Sequence, residues 1–426
     1  MNAWYLFCFL SALAVLICFA NQYVLHLQTT VAITTGSVLL SLLLILGVSS
    51  LGDSWAMTIT HILGEINFNQ LLLNGMLGFL LYAGALEIDL MALRKQRWEI
   101  TILVLFSTLA STIIVGYLSY WLLGAMGWQI PLIYCMLFGA LISPTDPIAV
   151  LAIIKQMKAP EGISVQVEGE SLFNDGVGLV IFSTLYSVAF FGTEPTFTSV
   201  AELFLKESMG GILFGLVLAG IGHWLVLHCK DVNLRLLVTL TIPTAGFASA
   251  NLMHVSGALA MVTAGIILGN VTRPAASAKT GVDDTLFIKH FWHATDTVLN
   301  ALLFLLIGLI LVNMPLSGSL LMAGALMVPL VLFSRFISVG APYLIFKRYR
   351  SYDKNSVRIL TWGGLRGGLA LAMAASVPQN TVVINGVDLH NLIVLITYIV
   401  VIFSIIVQGT TISPLIRKSI EHSQTR

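Results

Sequence analysis

The stretch Glu170-Ser-Leu-Phe-Asn-Asp175 places two carboxylates, a hydroxyl and a carboxamide inside an otherwise apolar run. At helical spacing Glu170 and Asn174 share one stripe, and Ser171 and Asp175 share the neighbouring one. Asp175 is therefore expected to share a cavity with Ser171, with Glu170 turned toward a different neighbour. A carboxylate without a fixed positive partner can hold a proton, or release it and hold a hard cation through oxygen ligands. Ser171, the hydroxyl or carbonyl of Thr145, the Asn174 amide and water can complete a sodium shell around Asp175. One carboxylate then serves both ions, so they compete, and the competition couples their movements. With one exchanging carboxylate beside a neutral asparagine, the expected ratio is one cation per proton, an electroneutral exchange. The alternative for Asp175 is a hydrogen-bonded structural acid.

Two further stretches interrupt the apolar pattern. Gly139-Ala-Leu-Ile-Ser-Pro-Thr-Asp-Pro147 carries two prolines and a carboxylate, and Gly363-Gly-Leu-Arg-Gly-Gly368 sets four glycines around an arginine. Proline removes a helical N–H and clashes with the preceding turn, and clustered glycine loosens the backbone. Asp146 is expected where such broken helices meet, offsetting the positive N-terminal ends of half-helices, with Arg366 compensating a negative end. Arg335 is the natural partner for Glu170. It lies eleven residues from the end of its own apolar run, or ~16 Å deep at about 1.5 Å rise per residue, and pairing lowers the cost of burying either charge.

These groups need a setting that keeps them from bulk water, and the composition supplies one. Of 426 residues, 57% are hydrophobic and only 10% charged, where a soluble domain carries roughly a quarter charged residues. The expected solvent is lipid. A net charge of +1 lacks the footprint of a nucleic-acid binder. Cys8, Cys18, Cys135 and Cys229 show neither metal-ligand nor disulfide spacing and read as packing residues. The first apolar run has no basic leader or cleavage signature, so it reads as a retained helix.

A spanning helix needs about 20 apolar residues. Thirteen candidates follow, near 3–20, 31–49, 69–88, 99–123, 131–154, 167–191, 208–228, 234–251, 255–271, 294–313, 318–346, 356–377 and 391–416. With the N-terminus outside, all but three of the 21 basic residues fall on the inner loops and tail, the exceptions being Lys206 outside and Arg335 and Arg366 within spans. That bias sets an N-out, C-in orientation. The interrupted fifth and twelfth spans lie an odd number of spans apart and so run in opposite directions. Such a pair points to two inverted repeats, spans 1–6 and 8–13, with a site near the midplane. Two kinked helices in an ordinary bundle are the alternative. His290, His293, His223 and His228 read as interfacial, Asp296 and Asn300 as capping or interhelical contacts, and the basic run from Lys347 to Arg358 as a positive-inside anchor.

Taken together, Thr145-Asp-Pro147, Glu170-Ser-Leu-Phe-Asn-Asp175, Arg335 and Gly363-Gly-Leu-Arg-Gly367 resemble the NhaP-type sodium–proton antiporters, the electroneutral branch of the monovalent cation–proton antiporter superfamily. The resemblance covers essentially all thirteen spans. It implies an all-α membrane protein of two six-helix inverted repeats, with ion binding at Asp175, Asn174, Ser171, Thr145 and Asp146. It also implies a structural pair at Glu170 and Arg335. A homodimer is implied, in which residues 1–90 and 192–313 form a dimerisation domain and 91–191 and 314–416 a moving core, with a short tail at 417–426. An elevator-like motion would carry the site across a bacterial inner membrane. Sodium (with lithium) and protons are the implied cargo, lipid the surroundings, and no cofactor is expected. One departure is that some relatives carry a glutamate late in span 3, where this chain reads Tyr82-Ala-Gly-Ala85; no cation-pathway role transfers there. The chain stops at Arg426, the expectation for a compact bacterial form. Potassium–proton exchange is the rival within the class, and a cation channel the rival outside it. No zinc motif, nucleophile elbow or haem-spaced histidine pair points to an enzyme.

Overall fold

A computed structural model describes residues 3–424 apart from 25, 52–67, 158–160, 192–196, 281–284, 315, 347–355 and 385. Lys158, the basic residues at 347–354 and Arg426 thus lie outside the described residues. Lipid offers the backbone no hydrogen bonds, so apolar stretches of this length must satisfy themselves as helices. Among the described residues ten helices are long and apolar enough to cross a membrane. In chain order the helices are α1 Ala3–Tyr23, α2 Thr29–Gly47, α3 Phe68–Glu87 and α4 Arg97–Ala125. Two half-length helices follow, α5 Leu132–Ile142 and α6 Ile148–Gln156. The long helices resume with α7 Gly162–Phe191, α8 Val200–His228, α9 Val232–Leu252, α10 Gly257–Ser277, α11 Leu286–Val312 and α12 Gly318–Leu344. A second half-length pair, α13 Ser356–Gly363 and α14 Gly368–Ala375, precedes α15 Leu389–Arg417. A small antiparallel hairpin, Val383–Ile384 with Val387–Asp388, joins α14 to α15.

Short polar residues start several helices where the chain turns. The side chain of Asp231 accepts from the amide of Asn233, that of Ser256 from Leu259, and that of Asp388 from His390, each capping a first turn. The break between α9 and α10 falls at Met253–Ser256, where His254 adopts a positive φ of 54°; α9 and α10 are separate helices.

Helices pack in two sets. One gathers α4, α5, α12, α14 and α15; the other joins α3 to α10 and α10 to α8. Helix α7 lies between them, touching α5 on one side and α8 and α10 on the other. Helix α11 packs along α2. Deeply buried apolar side chains such as Leu137, Leu141, Met327 and Val401 fill the first set, and Ala85, Met261 and Trp292 the second.

The two interruptions meet. The amide of Asp146 donates to the carbonyl of Leu365 at 2.7 Å, a single antiparallel bridge between the non-helical strands of the two broken helices. Close approach there depends on glycine: a Cβ on Gly367 would collide with the Asp146 carboxylate. On the other face, Gly178 of α7 leaves room for the ring of Pro144.

Candidate functional site

Each broken helix presents two open ends at the crossing, and polar side chains cover three of the four, the N-terminal end of α14 at Gly367 having no side-chain cap. The C-terminal end of α5 exposes the carbonyls of Ser143 and Pro144, and both accept from Nη1 of Arg366, the Pro144 contact at 3.0 Å. The C-terminal end of α13 is covered by Nη2 of Arg335 on the Leu360 carbonyl (3.4 Å) and Nε2 of Gln408 on the Trp362 carbonyl (2.8 Å). At the N-terminal end of α6, Oδ1 of Asp146 accepts from the Ile148 amide at 3.0 Å. Cations thus sit at C-terminal ends and a carboxylate at an N-terminal end, as aligned helix dipoles favour. A widened turn in α15, Ser404–Gln408, puts both Gln408 and the Ser404 hydroxyl on the break, where Ser404 accepts from the Arg366 amide at 2.9 Å.

Glu170 and Arg335 meet at 2.6 Å, both almost fully buried. Arg335 also donates to the Ser107 hydroxyl at 3.2 Å, so one guanidinium ties together α7, α4 and α13. Two prolines, Pro329 and Pro342, flank it within its own helix. A carboxylate and two further acceptors thus surround this arginine.

Thr145 is the hub of the opposite side. Its hydroxyl lies 3.1 Å from that of Ser171 and accepts from Nδ2 of Asn174 at 2.8 Å, while its amide donates to Oδ1 of Asn174 at 3.3 Å. Both ends of the Asn174 amide are therefore occupied by Thr145, whereas the sequence expectation gave that amide to a cation shell. The reason is geometric. Thr145 sits in the break, its backbone N–H has no helical acceptor, and the nearest amide supplies one.

Asp175 is different. It is half-buried and faces a cavity of about 520 Å³, whose wall also includes Thr145 and Asp146. Among the described residues no ion pair involves Asp175; the buried ion pair is Glu170–Arg335. Ser171 and Asn174 lie behind Thr145, 3% and 1% exposed. The polar surface turned to the cavity here is the Asp175 carboxylate with Thr145 and Asp146 beside it, and Ser171 and Asn174 meet Thr145 from behind.

Further polar residues line the cavity, two of them, Glu87 and Glu168, not singled out by the sequence. Glu87 at the C-terminal end of α3, Glu168 of α7 and His293, Asp296 and Asn300 of α11 all line it. His293 approaches Glu87 at 3.8 Å. From sequence Asp296 and Asn300 read as capping or interhelical contacts. Helix α11, which carries them, begins at Leu286, about three turns earlier at 3.6 residues per turn, so neither caps it. Their one-turn spacing on a helix is a signal that both face one way, but not toward what. Tyr82 is buried against Trp292, their rings 5.0 Å apart, while Gly84 lines the cavity.

Residues 12–418 match the family model described as sodium/hydrogen exchanger, transmembrane. The Na(+)/H(+) antiporter NhaP of Pseudomonas aeruginosa is 39% identical over 414 residues, spanning 96% of this chain and 95% of that protein. The Na(+)/H(+) antiporter NhaH of Halobacillus dabanensis is 32% identical over 357 residues, spanning 82% and 83%. The solved structure of the sodium proton antiporter MjNhaP1 from Methanocaldococcus jannaschii shares the fold, with a TM-score of 0.72 at 19% identity and 99% of both chains covered.

Proposed function

The chain belongs to the sodium/hydrogen exchanger family of transmembrane proteins, and on that premise we propose that it exchanges sodium for protons by secondary active transport, at Asp175. The observation that carries the reading is a half-buried carboxylate without a cationic partner among the described residues, facing a cavity beside the crossing of two broken helices. Asp175 binds either a proton or a sodium ion, with oxygen ligands from Thr145, Asp146 and water. Ser171 and Asn174 hold Thr145 in place, and Glu170–Arg335 and Arg366 hold the crossing together. One carboxylate alternates between the two ions, so each turnover moves one of each and no net charge.

Thirteen spans in two inverted six-helix repeats fit the two pairs of half-helices and the opposed directions of their crossing. The N-terminus lies outside and the C-terminus in the cytoplasm of a bacterial inner membrane, as the basic loops favour. The cavity rim gathers Thr29, Glu87, Glu168 and His293, from helix ends that this topology puts on the cytoplasmic side. The set around α4, α5, α12, α14 and α15, with α7, is the moving core; α1–α3 and α8–α11 form the dimerisation domain of a homodimer. Sliding of one against the other carries Asp175 across the membrane.

The test is reconstitution in liposomes with an imposed pH gradient and an internal pH dye. Sodium, lithium and potassium are added in turn, with Asp175→Asn as the blank. Proton movement on sodium addition, absent from the variant, is the expected result. Movement driven by potassium alone identifies a potassium–proton exchanger, and cation-independent proton or cation current a channel.

A further inference from the structure

The α11 wall of the cavity carries two polar side chains that the exchange site leaves unused. Asp296 and Asn300 are one helical turn apart on one face, and both line the cavity that Asp175 enters from α7. Asn300 is 4% exposed, and neither its amide oxygen nor its nitrogen makes a hydrogen bond of acceptable geometry among the described residues, although Asp296 lies close by. A buried amide left unpaired is costly, and native proteins keep one chiefly where water or an ion completes it.

The surroundings are acidic and ordered in space. Glu87 and Asp296 lie within electrostatic reach of each other, as do Asp296 and Asp146, and Asp146 and Asp175. Asp296 therefore stands between the rim, where Glu87 meets His293, and the crossing. Facing it, the cations of the core are turned away: Arg366 is spent on the Ser143 and Pro144 carbonyls and Arg335 on Glu170. Acidic groups on low-dielectric walls concentrate cations along a path of this kind.

We propose that Asp296 and Asn300 form a second monovalent-cation station on the α11 wall, in which an Asp296 carboxylate oxygen and the Asn300 amide oxygen hold the incoming ion before it passes to Asp175. Oxygen donors of this type suit a hard, weakly held cation. The station rests on the exchange reading above for the identity of its ion. Because it belongs to a wall other than the helix carrying Asp175, it sets the ion concentration at which the site fills rather than the rate at which the filled site moves.

The experiment measures exchange and binding separately, on the full-length protein. In proteoliposomes, Asp296→Asn and Asn300→Ala are each expected to raise the sodium concentration for half-maximal exchange roughly tenfold, the effect of losing one hydrogen-bond-strength contact to a charge. The maximal rate stays within about twofold of wild type on the same reasoning, and Asp296→Glu recovers much of the loss. In detergent, sodium-dependent thermal stabilisation is expected to persist weakly in Asp175→Asn and to vanish when Asp296→Asn is added. An unchanged half-maximal concentration in Asn300→Ala, a fall in maximal rate alone, or no residual sodium effect in Asp175→Asn overturns the station. Failure of the wild type to exchange overturns instead the exchange reading, and the binding measurement still decides the station.

Discussion

The carboxamide of Asn174 grips Thr145 from both ends, donating to its hydroxyl at 2.8 Å and accepting from its backbone amide at 3.3 Å. The neighbour of Asp175 is thereby a strut. It holds the broken helix against α7, with Asp175 facing the cavity beside Thr145 and Asp146. A neutral side chain that both donates and accepts is what this position needs; a carboxylate would lose the donor.

Asn174→Ala should therefore act through Thr145. Leaving a buried amide and hydroxyl without their partner costs about 1–3 kcal/mol. A lowered melting temperature together with slower exchange is expected in purified protein and proteoliposomes. A variant with wild-type stability would show that the contact carries no load.

Asp175→Asn separates chemistry from folding. The amide replaces a side chain that makes no ion pair among the described residues, so the fold should hold while exchange is lost. Dye-monitored proton flux and a thermal melt on one preparation check both halves. Normal turnover in this variant would reassign the site.

Arg335→Ala should give the opposite pattern. Removing one partner of a buried pair costs about 3–5 kcal/mol, because the remaining charge stays buried and unmatched. Yield and melting temperature fall, and adding Glu170→Gln restores part of the loss. Absence of rescue in the double variant would mean that the Ser107 and Leu360 contacts, rather than the Glu170 pair, carry the effect.

Gly367→Ala tests the closeness of the crossing. The added methyl meets the Asp146 carboxylate, and overpacking of this kind costs about 1–3 kcal/mol. Exchange should fall sharply. Gly318→Ala, where a Cβ meets nothing within 4 Å, should be silent and serves as the control.

One-to-one exchange moves no net charge, and the membrane potential acts only on net charge, at about 2.3 kcal/mol per 100 mV. Clamping potassium-loaded liposomes with valinomycin at different potentials should leave the sodium-driven proton flux unchanged. A rate that rises or falls steeply with potential would mean that more than one proton accompanies each sodium ion.

Much of this architecture is written locally. Lipid allows a chain so poor in charge only self-satisfied helices, so the ten long helices among the described residues follow from runs of leucine, isoleucine, valine and alanine. The breaks at Ser143–Pro147 and Gly364–Gly367 follow from proline and glycine in the same way. That Glu170 needs a buried cation, and Arg335 a buried anion, follows from the cost of a lone charge.

What no local pattern contains is how each helix is turned about its axis against partners distant in sequence. Packing decided that Asn174 spends its amide on Thr145 and that Asp146 bridges to Leu365. It also brought Glu87, Asp296 and Asn300 to the same cavity as Asp175. A polar residue near the end of an apolar run looks the same in sequence whether it meets water, lipid headgroups or an ion path. Only the tertiary structure chooses among them, because that choice depends on which neighbouring helix excludes the solvent.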